Sequence, residues 1–280
     1  MEVTKKKVLV FGCGISGIGA VKLLEEKGAL VTLYDGNEKL SEADLRGKLG
    51  ADSRARIVLG EFQEELYDTL DIAILSPGVP TDLPVVDRMR KKGILITGEV
   101  ELAYEAGKGD VLAITGTNGK TTTTALLGEI MGNYRKTFVV GNIGDPYTSR
   151  VLEMTEDSVT VAEVSSFQLE TIMDFRPDVS AILNITPDHL NRHGTMENYI
   201  RIKECITLNQ TEDDSVVLNY DDPVLREFGQ DPELKPKVTW FSSREKLADG
   251  FCMSGDNIVY CQKGRETILV NVRDMKLLGR

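Results

Sequence analysis

In the stretch AITGTNGKTTTTALL (residues 113–127), Gly119-Lys120-Thr121 form the end of the phosphate-binding pattern G-x-x-x-x-G-K-[ST]. The other glycine, Gly116, stands only three residues earlier, and Ile114 holds the place of the usual first glycine. The residue types still suit phosphate. Gly116 and Gly119, with Thr117 and Asn118 between them, let backbone N–H groups curl round phosphate oxygens. Lys120 is long enough to reach β- and γ-phosphates, and the Thr121 hydroxyl, followed by Thr122, suits Mg²⁺. The bland alternative is a threonine-rich helix start.

Three other positions have types suited to a phosphoryl or metal site. Glu163 ends the apolar run of VTVAEVSSFQLE, and a carboxylate at a strand end is a natural Mg²⁺ ligand. The chain's two histidines, His189 and His193, both fall in NITPDHLNRH beside Asp188. That clustering suggests a metal or phosphoryl site at His189, with loop capping the plainer role for His193. Lys203 lies in MENYIRIKECITL, and periodicity alone reads it as a solvated flank of a helix with Ile202 and Ile206 inside.

A second glycine motif stands near the N-terminus. GCGISG (residues 12–17) is G-x-G-x-x-G between a strand and a helix, and Asp35 ends the next strand. Taken alone this is a dinucleotide fingerprint. The physics is broader, because the glycines admit any diphosphate to a helix N-terminus. In LSPGVP (residues 75–80), Ser76, Pro77 and Gly78 make a rigid turn able to face an anion, or simply a Pro-Gly turn.

The elements that position these residues alternate strand and helix. KVLVFG, ALVTLYD, short strands near residues 57 and 72–75, and ILIT alternate with helices over 16–28, 41–49 and 83–92. A second cycle starts at VLAIT, with strands TFVVG, SVTVAEV, VSAILNIT and SVVLN. After Trp240 come short alternating strands, NIVYCQ and TILVNV, with turns at Gly255-Asp256 and Lys263-Gly264. The expected class is α/β. It comprises a Rossmann-like domain over 1–97 and a P-loop-type ATPase domain over 98–280, with a mostly parallel sheet and an antiparallel appendage.

Composition narrows the function. Lys plus Arg number 33 against 44 Asp plus Glu, a net charge of −11. Such a surface argues against nucleic acid and anionic membranes as partners, but not against a small anion in a local pocket. The four scattered cysteines suggest neither a zinc site nor a disulfide framework, and a reducing cytoplasm fits best. Neither a signal peptide nor a membrane-length apolar run is expected.

Taken together, the motifs resemble the Mur ligase family. TGTNGKTT is similar to the shortened phosphate loop of Mur ligases and folylpolyglutamate synthases. EVSSFQLE, GNIG (residues 141–144), NITPDHLNRH and the Lys203 helix follow in the order seen in members that add D-glutamate to UDP-N-acetylmuramoyl-L-alanine. The resemblance spans essentially the whole chain. It implies an ATP-dependent amide ligase of peptidoglycan precursor synthesis, acting through an acyl phosphate as a cytoplasmic monomer.

The resemblance also implies roles for particular residues. Gly14, Ile15, Ser16, Asp35, Gly36, Ser76, Pro77 and Gly78 would line the UDP site, and Asn142, Ser165 and Gln168 would hold the sugar–peptide part. Gly116, Thr117, Asn118, Gly119, Lys120, Thr121 and Thr122 would bind ATP. Two Mg²⁺ sites would be held by Thr121, Glu163, His189 and a carbamylated Lys203. Asn37 departs from a basic residue of some relatives. The chain stops at MKLLGR, where the family runs on to a hinge and a third domain carrying most of the D-glutamate site. A chain lacking that domain is expected to bind substrate and turn over poorly or not at all. Another Mur or folylpolyglutamate-type ligase, and a nonenzymatic nucleotide-binding regulator, are the alternatives.

Overall fold

The computed structural model describes residues 1–142 and 144–275. Ile143 of the GNIG motif and the expected hinge after Met275 lie outside the described residues. Two compact units form. One is Met1–Val111 with Thr124–Phe175, and the other Leu112–Thr123 with Arg176–Arg280. The expected α/β class is found, with mostly parallel strands and an antiparallel end.

The chain opens with β1 (Lys7–Phe11), α1 (Ile15–Glu26), β2 (Leu30–Asp35), α2 (Glu42–Leu49) and β3 (Arg56–Leu59). It continues through β4 (Ile72–Leu75), α3 (Pro84–Lys91), β5 (Leu95–Gly98) and α4 (Glu99–Ala106). The sheet order is β3-β2-β1-β4-β5, all parallel. Helices cover both faces, so the central strands read as unbroken apolar runs rather than alternating ones. Val8, Leu9 and Val10 are fully buried. The chain runs outward from β1 to β3 and then crosses to β4 on β1's other side. Such a reversal opens a crevice at the carboxyl ends of β1 and β4, where ligands of open α/β sheets bind.

Next come β6 (Asp110–Thr115), α5 (Lys120–Gly132), β7 (Thr137–Gly141), β8 (Val159–Glu163) and the single turn α6 (Ser166–Leu169). In the first unit β7 and β8 pair in parallel, with Gly141 opposite Glu163. The second unit adds β9 (Val179–Ile182), α7 (Leu190–His193), α8 (Met196–Glu204), β10 (Ser215–Asn219) and α9 (Pro223–Phe228). It ends with β11 (Lys237–Phe241), β12 (Gly250–Ser254), β13 (Asn257–Gln262) and β14 (Arg265–Asn271). There β6, β9, β10 and β11 are parallel neighbours. The antiparallel β12-β13-β14 follows, with its turns at the two expected places.

The short helices α6, α7 and α9 and the strand β12 were not among the expected elements, and two further elements differ instructively. β11 is a further parallel strand; its KVTWF is half-buried and carries no apolar run. The stretch directly after residue 97, given no element in the sequence reading, forms α4. Its glutamates at 99 and 101 break the apolar pattern, yet both are buried. Among the described residues no helix is long and apolar enough to cross a membrane.

Candidate active site

In the first unit the turns after β1 and β4 lie against each other. Gly12 takes φ 108°, and a Cβ there would stand 2.8 Å from the Ser76 side chain. Ser76 Oγ donates to the Gly12 carbonyl at 3.2 Å. A Cβ on Gly17 would fall 1.9 Å from the same carbonyl, whereas one on Gly14 would meet nothing within 4 Å. Two of the motif's glycines therefore serve close packing, and the third borders open space. Asp35 accepts from Cys13 N at 3.0 Å on one oxygen and from Asn37 N at 3.0 Å on the other. Its carboxylate thus ties the glycine turn to the end of β2.

A cavity of about 850 Å³ opens at these strand ends, within the roughly 300–1,000 Å³ usual for small-molecule sites. Gly14, Ile15, Ser16, Asp35, Gly36, Ser76, Pro77, Gly78, Asn142 and Gln168 all line it. Of the residues expected around the UDP-linked substrate, only Ser165 does not. Ser165 caps α6 instead. Its N–H and hydroxyl donate to Gln168 Oε1 at 2.8 and 2.9 Å, fixing that side chain from behind. Asn142 links the cavity to the buried Glu163. Asn142 N donates to the Glu163 carbonyl at 2.9 Å, and its Nδ2 donates to Glu163 Oε1 at 2.8 Å.

In the second unit the phosphate loop joins β6 to α5. Gly116 and Gly119 take φ 145° and 85°, left-handed backbone that favours glycine. The loop is tied to the segment after β9. Thr117 N donates to Asn184 O at 2.9 Å, and Asn118 N to Asn184 Oδ1 at 2.8 Å. Thr117 Oγ1 accepts from Thr186 N at 3.0 Å, donates to Thr186 O at 3.1 Å, and lies 3.1 Å from the Tyr199 hydroxyl. Thr121 and Thr122 are exposed at the helix start.

Two ammonium groups converge on this loop. Lys120 Nζ donates to Gly116 O at 3.1 Å and to Thr117 O at 3.0 Å. Lys203 Nζ donates to the same Gly116 carbonyl at 2.8 Å and lies 4.8 Å from the centre of the Tyr199 ring. Lys203 is 1% exposed, so the solvated-flank reading from periodicity is overturned. Burial, reinforced by repulsion from Lys120 and partly offset by Asp188, lowers its pKa to about 7. His189 is exposed at φ 51°, with its N–H donating to Asp188 Oδ1 at 2.9 Å and its ring 3.4 Å from the other oxygen. His193 is buried against Tyr199, with ring centres 5.2 Å apart.

One feature escaped the sequence reading. A cavity of about 410 Å³ beside Thr186 is lined by Asn219, Asp221, Asp222, Ser243 and Arg244. The available signal was the polar NYDDP directly after the strand SVVLN.

Residues 6–98 match the N-terminal domain of MurD-like Mur ligases, and residues 114–279 match the Mur ligase middle domain. The UDP-N-acetylmuramoylalanine–D-glutamate ligases of Lachnospira eligens and Lachnoclostridium phytofermentans are 54% and 51% identical over 100% of this chain. The chain spans 62% of the length of each. Among solved structures, the UDP-N-acetylmuramate:L-alanyl-gamma-D-glutamyl-meso-diaminopimelate ligase from Neisseria meningitides superposes with a TM-score of 0.60. It is 16% identical, covering 94% of this chain and 86% of that one. The Psychrobacter arcticus murein peptide ligase gives a TM-score of 0.53 at 15% identity, over 94% of this chain and 60% of that one. At those identities the likeness is one of fold. Two domain matches in sequence, together covering most of the chain, show that it belongs to the Mur ligase family.

Proposed function

We propose that the chain forms the UDP-precursor-binding and ATP-binding parts of a ligase adding D-glutamate to UDP-N-acetylmuramoyl-L-alanine in peptidoglycan precursor synthesis. The observation that carries this reading is the 850 Å³ cavity, which gathers the glycine turn, Asp35, the SPG turn, Asn142 and Gln168. In this reading residues 1–97 bind the UDP moiety and residues 98–280 bind ATP, in a cytoplasmic monomer with no nucleic-acid or membrane partner.

The chemistry is a two-step amide synthesis. The alanine carboxylate attacks the γ-phosphorus of ATP, the bond to the β-phosphate oxygen breaks, and an acyl phosphate and ADP form. The D-glutamate amine then attacks the acyl carbon, loses a proton and displaces inorganic phosphate. The N–H groups of residues 116–122 cradle the phosphates, and Lys120 turns from the loop carbonyls to the transferred oxygens.

The donors fit Mg²⁺ in kind. The Thr121 hydroxyl and Glu163 carboxylate are hard oxygen ligands, as is a Lys203 carbamate, with His189 the one nitrogen. When bound, Mg²⁺ would neutralise charge on the transferring phosphoryl group. Carbamylation of Lys203 is supported by its position, since two cations on one carbonyl repel each other and burial favours the neutral amine. The ammonium first gives one proton to water; the neutral amine nitrogen then bonds to the carbon of CO₂ as one C–O π pair moves onto oxygen, a second proton passes to water, and a carbamate anion stands where the second cation stood.

Calorimetric titration with UDP-N-acetylmuramoyl-L-alanine, with NAD as the control, tests the reading. Binding of the muramoyl precursor without NAD supports it. Binding of NAD alone would return the glycine turn to its dinucleotide meaning.

A further inference from the structure

Helix α4 carries two buried carboxylates, Glu99 and Glu101, each 2% exposed. Both accept hydrogen bonds from backbone N–H groups, Glu99 also from a hydroxyl. Glu99 Oε1 accepts from Thr148 N and from Thr148 Oγ1, each at 2.7 Å. Glu101 accepts from Met173 N at 2.7 Å, Asp174 N at 2.8 Å and Phe175 N at 3.0 Å. Residues two apart on a helix point about 200° apart around its axis, so the two carboxylates grip separate segments.

Those segments supply Gly144, Pro146 and Gln168 to the cavity. The first covers residues 144–148, where Gly144 and Pro146 border the cavity. Asn142 is held separately by Glu163, and Glu99 fixes the end of this segment through Thr148. The second runs from Ser165 through Gln168 to Phe175. It is held at Thr171, whose carbonyl accepts from Thr97 Oγ1 at 3.1 Å, and then by Glu101. Helix packing alone does not need these acids. Apolar side chains bury without the desolvation cost of a carboxyl group, and burial raises the pKa of Glu99; what its oxygen supplies is one acceptor for both donors of Thr148. Glu99 is the less economical of the two, because its buried Oε2 has no hydrogen-bond partner.

We infer that Glu99 is a positioning residue for the UDP-precursor cavity: it sets the wall that carries Gly144 and Pro146, while Glu101 sets the wall that carries Gln168. This inference rests on the function proposed above. It gives Glu99 no contact with substrate or reacting atoms.

The test uses the whole chain and two ligands, UDP-N-acetylmuramoyl-L-alanine and ADP, with melting temperature followed in parallel. Glu99→Ala is expected to weaken the muramoyl ligand about tenfold or more and leave ADP within about twofold, on the scale of a lost buried hydrogen-bond acceptor. Glu99→Gln keeps an oxygen that accepts both Thr148 donors, and should hold the muramoyl ligand within about threefold of wild type. Thr148→Val removes one donor without disturbing α4 and should fall between them, which serves if Glu99→Ala does not fold. Wild type that fails to bind the muramoyl ligand defeats the functional reading, and this inference with it. Wild type that binds, alongside Glu99→Ala and Thr148→Val variants that bind equally well, overturns the inference alone. Equal weakening of both ligands in these variants also overturns it, because that marks a merely structural role.

Discussion

The three glycines of the first motif should separate cleanly on substitution. In Gly17→Ala the new methyl lies 1.9 Å from the Gly12 carbonyl oxygen and 3.1 Å from its carbon. Real Cβ contacts essentially never fall below 3.0 Å, and the obstacle is backbone rather than the end of a flexible side chain. α1 must therefore move off β1 by about 1 Å, which belongs at the upper end of the roughly 1–3 kcal/mol typical of overpacking. For a unit of this size, about 3 kcal/mol lowers the melting temperature by roughly 6–12 °C. Gly14→Ala is the control. Gly14 already has φ −71° and ψ −174°, and its added methyl meets nothing within 4 Å. Its melting temperature should stay within about 4 °C of wild type, since alanine is only a poorer N-cap. Affinity for the muramoyl ligand should fall instead, because Gly14 borders the cavity. Thermal melts with calorimetry on both variants decide the matter. A Gly17→Ala variant melting with wild type would refute the close-packing argument. A Gly14→Ala variant binding normally would refute the placement of the diphosphate.

Other outcomes follow from the second unit and the surface. The pKa of Lys203 falls from 10.5 in the unfolded chain to about 7 in the fold, so the native state binds fewer protons between those values. Its penalty is full below pH 7 and fades as pH rises toward 10.5. In CO₂-free urea titrations, wild type should therefore gain about 2 kcal/mol between about pH 6 and pH 8.5 relative to Lys203→Met. A constant difference between the two proteins would show that Lys203 is not held neutral. Thr117→Val loses the hydroxyl that bonds Thr186 and should weaken ADP binding about 5–30-fold, the equivalent of about 1–2 kcal/mol. Unchanged affinity would mean that the 183–186 segment does not shape the loop. Gly47→Ala lies inside α2 with nothing within 4 Å of the new methyl, and should raise stability by about 0.4–1 kcal/mol in a thermal melt. A lower melting temperature would contradict the helical geometry there.

Much of the first sheet was legible because burial on both faces leaves unbroken apolar runs such as VLVF and IAIL, which side-chain chemistry alone marks as strands. The glycine turn and Asp35 were legible for a related reason, since a strand–turn–helix junction needs residues of those types. α4 was not legible because Glu99 and Glu101 interrupt its apolar face. Acids normally mark solvent, and here their partners are backbone N–H groups remote in sequence. Lys203 hid in a different way. Tyr199, Ile202, Lys203 and Ile206 fall at i, i+3, i+4 and i+7, the pattern of an apolar stripe, and all four are buried. The stripe was visible, but the lysine in it read as flank, because burying an amine makes sense only once its partner, the Gly116 carbonyl, is known.

The phosphate loop turns on a related point. A glycine at position 114 would open the loop earlier, but Ile114 is buried in β6 and paired with Ala181 of β9, where a glycine would leave a hole. The strand therefore continues to Thr115, and Gly116 makes the turn. A Cβ at Gly116 would lie 3.1 Å from Leu183 Cβ and 3.2 Å from Leu183 N. The shortened loop is thus pressed onto the chain leaving β9, and its hydrogen bonds go there, to Asn184 and Thr186. A few residues later that same segment carries Asp188 and His189. The geometry of residues 116–119 is therefore set together with residues 183–186 rather than by the loop alone. The shortened spacing replaces a self-contained loop with one braced by its neighbouring strand, and the Gly116 carbonyl becomes the point where Lys120 and Lys203 meet.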